Sequence, residues 1–176
     1  MVNSSNNPPN KPKKREWYTP QPIISLVKQV FNGTIELDPA SDTIGQSRIQ
    51  AVKYYDPQIN GLAQAWNADT IFLNPPYARN IIDKWIDKAL KEFIKGNYQK
   101  GIILTRTDNS TKWFQDIGAK SSMMCLKQGR IKFLNAKGHP ESGSTLSNVF
   151  FYLDQNQNTQ QFHSVFKNIG LIVEPK

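Results

Sequence analysis

A single cysteine, Cys125, in 176 residues rules out an intramolecular disulfide. Two histidines, His139 and His163, supply no ligand spacing for a metal, so no metal site is expected. No apolar run approaches the roughly 20 residues that span a bilayer, and the polar N-terminus has no signal-peptide apolar region. A reducing, cytoplasmic setting is the expectation, with no membrane partner. Acid is scarce as well. Fourteen Asp and Glu stand against 22 Lys and Arg, a net charge of +8 and a pI near 9.6, which suits a polyanion such as nucleic acid. What remains is 38% hydrophobic with four Trp, enough for one domain with a sizeable core.

Residues 1–15 (MVNSSNNPPNKPKKR) are rich in Asn, Pro and Ser, end in a basic cluster, and read as a disordered arm. Residues 16–176 then form a single domain. Ile23, Ile24, Val27, Val30 and Phe31 share one helical face, closed by Gly33. TIELD, ending at Asp38, and AVKYYD, ending near Asp56, read as strands, and TIFLN as a third. Ile81, Ile82, Trp85, Ile86, Ala89, Leu90, Phe93 and Ile94 repeat in pairs four apart, an amphipathic helix ending near Gly96. KGIILT is a buried-type strand and NSTKWFQDI a short helix; SSMMCLK, RIKFL and NVFFYL read as further strands. Phe162, Val165, Phe166 and Ile169 mark a last helix before the strand LIVE. Strands alternating with helices predict α/β architecture with a largely parallel sheet.

The stretch FLNPPYA (72–78) carries the chemistry. In open α/β sheets ligands bind beyond the carboxyl ends of strands, and Asn74, Pro75, Pro76 and Tyr77 follow such an end directly. Pro76 restricts Pro75 to extended backbone and so holds its carbonyl in one direction. The Asn74 side-chain oxygen and that carbonyl form a rigid pair of acceptors, and Tyr77 adds a flat apolar face. Such a site suits a planar molecule bearing an NH2 group, adenine with its N6 being an obvious candidate. An ordinary turn is the competing reading. At about 5% proline, an adjacent pair arises by chance about once in 400 positions, so the strand before it and the Tyr after it favour function. The other copy, NNPPNK (6–11), sits among polar residues with no aromatic.

NPPY resembles the catalytic motif IV of amino-group methyltransferases that use S-adenosylmethionine. EWYTP, IELDPASD, KYYDPQINGLAQAW, FLNPPY, RTDNSTKWF and GRIKF, in that order, resemble the small phage-type DNA N6-adenine methyltransferases, over about residues 16–153. The resemblance implies a Rossmann-like class I methyltransferase fold, its mostly parallel central sheet flanked by helices. It also implies S-adenosylmethionine as cofactor and DNA as partner. Trp17, Tyr18, Thr19 and Pro20 then contact the methionine end of the cofactor, and Asp38, Pro39, Ala40 and Ser41 match motif I. Asp56 is the acid for the ribose hydroxyls. GRIKF resembles motif VIII, placing Arg130, Lys132 and Phe133 beside the target base, with Tyr77. Read without the family, Trp17 and Phe133 are equally core aromatics, and Asp38 a turn former with Pro39.

The chain departs from the pattern in three places. Ala40 and Ser41 stand where the common motif I is glycine-rich, and Asn60-Gly61 where the family has an aspartate. About 15 residues separate KYY from IFLN, too few for a full strand–helix unit, so the sheet is expected to be reduced. The residues leave three alternatives: the same amine chemistry on RNA, the same chemistry on protein glutamine, or a non-catalytic DNA-binding relative. They specify neither oligomeric state nor DNA recognition sequence.

Overall fold

The computed structural model describes residues 17–141 and 147–175; the arm at 1–15 lies outside them. In chain order the elements are α1 (Gln21–Val30), β1 (Leu37–Asp38), α2 (Thr43–Ile49), β2 (Lys53–Tyr54), β3 (Ala68–Leu73), α3 (Ile82–Ile94), β4 (Tyr98–Arg106), α4 (Lys112–Lys120), β5 (Met123–Lys127), β6 (Asn148–Asp154), α5 (Gln160–Phe166) and β7 (Gly170–Val173). A short 3-10 turn at Gly61–Ala63 occupies the place of the helix missing between β2 and β3.

The strands form one sheet in the order β2-β1-β3-β4-β6-β5-β7. β2, β1, β3 and β4 pair in parallel. β6 runs antiparallel to β4, and β5 antiparallel to β6, so β5 points the same way as β1–β4. β7 reverses again at the edge. Five strands therefore share one direction: the α/β, Rossmann-like architecture with a short, reduced β1–β2 side.

Strand periodicity divides the core. Phe72, Ile102, Leu104, Phe150 and Tyr152 face one side of the sheet and pack with Ile23, Ile24 and Val27 of α1, Ile49 of α2, and Phe162 and Phe166 of α5. Their neighbours Ile71, Leu73, Ile103, Val149, Phe151 and Leu153 face the other side, against Trp85, Ile86 and Ala89 of α3 and Phe114 and Ile117 of α4. β6 is buried along its whole length because it lies between β4 and β5 with helices on both faces. No helix among the described residues is long and apolar enough to cross a membrane.

One sequence expectation fails, and one helix has no counterpart in the sequence pattern. RIKFL is not a strand: Leu134 makes isolated bridges to Tyr18 and Pro140, and the rest is irregular. Its alternation of exposed Arg130 and Lys132 with buried Ile131 and Phe133 imitates a strand, but the segment does not join the sheet. The helix α2 is not legible in the sequence, because a seven-residue TIGQSRI with one buried apolar side chain, Ile49, has almost no periodic signal. It starts on Asp42, whose carboxylate accepts from the Gly45 amide at 2.7 Å.

Candidate active site

A cavity of about 580 Å³ opens where the sheet's parallel strands end. Its wall takes Asp38 from the end of β1, Asp56 just past β2, Asn74–Tyr77 after β3 and Arg106 from the end of β4. The antiparallel β6 contributes its first residue, Asn148, at the same end. The volume is within the usual range for small-molecule sites.

Asn74 is held by the segment that precedes α1. Its Nδ2 donates to the Trp17 carbonyl at 3.3 Å and to Thr19 Oγ1 at 3.1 Å. A carbonyl can only accept, so the amide has one orientation, with Oδ1 as its remaining acceptor. Neither that oxygen nor the Pro75 carbonyl accepts a hydrogen bond from any described residue. Trp17 and Thr19 thus reach the site by orienting Asn74, a role that lies 57 and 55 residues away in sequence.

Tyr77 is half-buried and lines the cavity. Burial pushes its phenol well above the ordinary range, with Arg106 opposing weakly, so the hydroxyl stays protonated. It donates to the Leu104 carbonyl at 3.3 Å. Trp17 meets the Tyr77 ring edge-on at 6.4 Å and Phe133 does so at 6.2 Å. Phe133 is 1% exposed and is not part of the cavity wall. It lies beneath Trp17 and Tyr77 as their support, in place of the expected stacking face. Arg130 and Lys132 are exposed and also outside the wall.

Across the cavity, Asp38 is 2% exposed. It accepts from the Ala40 amide at 3.2 Å and from Gln46 Nε2 at 3.0 Å. Burial raises its carboxyl to about 7, against the hydrogen bonds of Ala40, Ser41 and Gln46 and with the help of nearby Asp42. Gln46 also donates to Ser41 Oγ at 2.9 Å and accepts from the Ala51 amide, tying the motif I loop to both ends of α2. The Tyr18 hydroxyl donates to Asp42 at 2.7 Å. One oxygen of Asp56 accepts from the Gln58 and Ile59 amides, leaving the other for a ligand. Pro20 caps α1, and Pro39 is buried behind the wall.

Gly61 has a steric reason. A Cβ there would lie 2.0 Å from the Pro39 carbonyl, so only glycine lets this turn lie against motif I. Asn60 precedes it in left-handed backbone (φ 56°) and lines the cavity. Sequence reading missed Gln46, Arg106, Asn148 and Trp85. Only Arg106 had any signal, its place in RTDNSTKWF.

No curated protein matches the chain as a relative. A family model does match, that of DNA N-6-adenine-methyltransferase (Dam), over residues 5–169. That span takes in every strand-end residue of the cavity and nearly the whole sheet. The chain belongs to the Dam family of DNA N6-adenine methyltransferases.

Proposed function

We propose that the chain transfers a methyl group from S-adenosylmethionine to N6 of an adenine flipped out of DNA, with residues 16–176 acting as one methyltransferase domain in the cytoplasm. The observation that carries this reading is the Asn74 amide, fixed through Nδ2 so that its oxygen is left as an acceptor, in a cavity wall that Pro75 also lines. Two acceptors from adjacent residues, the Asn74 oxygen and the Pro75 carbonyl, match in number the two hydrogens of an exocyclic amine. Accepting both draws the nitrogen toward tetrahedral geometry and makes its lone pair available.

The opposite wall suits the cofactor. Asp38 offers a buried carboxylate to the cationic methionine end, Asp56 has a free oxygen for ribose hydroxyls, and Gly61 lets its turn close against the Pro39 carbonyl behind that wall. When bound, S-adenosylmethionine supplies a methyl group on a cationic sulfur, which keeps the bonding electron pair as a neutral thioether when N6 takes the methyl. The surplus N6 proton then leaves along the hydrogen bonds to the two acceptors and on to water.

Flipping the base costs a few kcal/mol, and stacking on Tyr77 returns about 1–3 kcal/mol. Exposed Arg130 and Lys132, with the KPKKR arm, hold phosphates.

Labelled methyl transfer, measured in parallel on DNA, RNA and protein, tests this reading. Label should appear in DNA as N6-methyladenine. Label confined to RNA or to protein glutamine, or none despite bound cofactor, refutes it.

A further inference from the structure

The segment RTDNSTKWF begins at the cavity, yet the steps above give it no task. Its first residue, Arg106, ends β4 and lines the wall. Arg106 Nη1 donates to the Tyr77 main-chain carbonyl at 3.0 Å, and Nη2 pairs with Asp108 at 2.8 Å. Among the described residues, no other hydrogen bond reaches the main chain of the loop 75–80 from a residue distant in sequence. The loop's other main-chain bonds are local, from the Ile81 and Ile82 amides to the Ala78 carbonyl.

Tyr77 is therefore tied to β4 at both ends, by its hydroxyl to Leu104 and by its carbonyl to Arg106. Two anchors on one rigid strand fix both the height and the tilt of the ring. The Pro75 acceptor lies two residues upstream on a chain stiffened by proline, so the same tie sets its position. Arg106 Nε is buried with no partner, which costs free energy. The guanidinium is held where Tyr77 and Asp108 need it, at the expense of its own satisfaction.

We propose that Arg106 is a positioning residue for methyl transfer: it sets the NPPY loop through the Tyr77 carbonyl, and Asp108 holds it in register. This rests on the amine-methylation reading above. Arg106 is not asked to touch cofactor or base.

Arg106→Ala should lower kcat by on the order of 100-fold, the usual consequence of misplacing a reacting group by an ångström. The KM for S-adenosylmethionine should stay within about threefold, because Asp38 at the end of β1 and Asp56 just past β2 do not depend on this tie. Arg106→Lys keeps the charge and reaches one partner but not both, so it should recover part of kcat. Asp108→Asn should lose less than Arg106→Ala, and the double variant should be no worse than Arg106→Ala alone.

A readout independent of turnover is the 19F spectrum of 3-fluorotyrosine placed at 77. One narrow line is expected in the parent and a shifted or broadened line in Arg106→Ala, with Arg106→Lys between. An unchanged line in Arg106→Ala overturns the proposal even if the parent shows no methyl transfer. Retained kcat, or kcat and cofactor affinity falling together, also overturns it. Absence of transfer with the expected line change would instead defeat the methylation reading and leave the Arg106 tie standing.

Discussion

Burial of Asp38 at the cavity wall should make ligand binding there depend on pH. Burial raises its carboxyl to about 7, against 3.8 for the free side chain. A ligand that needs the carboxylate, such as the cationic methionine end of S-adenosylmethionine, meets about 9% ionised protein at pH 6 and about 76% at pH 7.5. Its affinity should therefore rise about eightfold over that interval. Stability runs the other way. A carboxyl whose folded value is raised favours the fold fully below the unfolded value and loses that contribution as pH climbs through about 7. From pH 5.0 to 6.5, below the folded value, the loss attributable to Asp38 is about 2 kcal/mol, at close to 1.36 kcal/mol per pH unit. Calorimetric titration of S-adenosylmethionine at the two pH values, with denaturant unfolding across the same range, measures both. Asp38→Asn should flatten both profiles relative to the parent, whatever its absolute stability. An affinity that is level between pH 6 and 7.5 in the parent, or a slope that persists in Asp38→Asn, refutes the assignment of Asp38 to the cationic ligand.

Asn74→Ala removes the oriented acceptor and should cost on the order of 100-fold or more in transfer rate, with cofactor affinity nearly unchanged; near-parental turnover would sink the amine-polarising role. Tyr77→Phe gives up the hydrogen bond to Leu104 and about 0.5–1.5 kcal/mol of stability, but keeps the ring, so transfer should largely survive. Tyr77→Ala should lose about 1–3 kcal/mol of stacking, roughly 5- to 150-fold in kinetics on DNA, and the reverse order of the two variants would make the hydroxyl the functional group. Gly61→Ala places a methyl group 2.0 Å from the Pro39 carbonyl, so it should cost about 1–3 kcal/mol of stability and weaken cofactor binding in calorimetry; an unaffected variant would mean that the turn adjusts freely.

The elements legible in the sequence are those whose signal is local. α3 announces itself because eight apolar residues repeat at helical spacing, though the ends of that stripe, Ile81 and Ile94, are exposed. β3, β4 and β6 are apolar runs bounded by polar turns, and NPPY shows itself because an adjacent proline pair directly after a strand end is rare by chance. The proposed acceptors, Asn74 and Pro75, could thus be read from seven consecutive letters. What holds them could not. The bonds from Asn74 to Trp17 and Thr19, and from Arg106 to Tyr77, join residues 29 to 57 positions apart. Ordinary polar side chains make them, and no periodicity marks their partners. Phe133 teaches the same lesson in reverse: GRIKF has the alternation of a strand, yet it stays outside the sheet and its aromatic goes under Trp17 and Tyr77. Local pattern selects the elements and the reactive groups, because period and turn chemistry act over a few residues. Only the closed fold decides which surface faces the cavity, since burial and long-range hydrogen bonds exist only once the strands have paired.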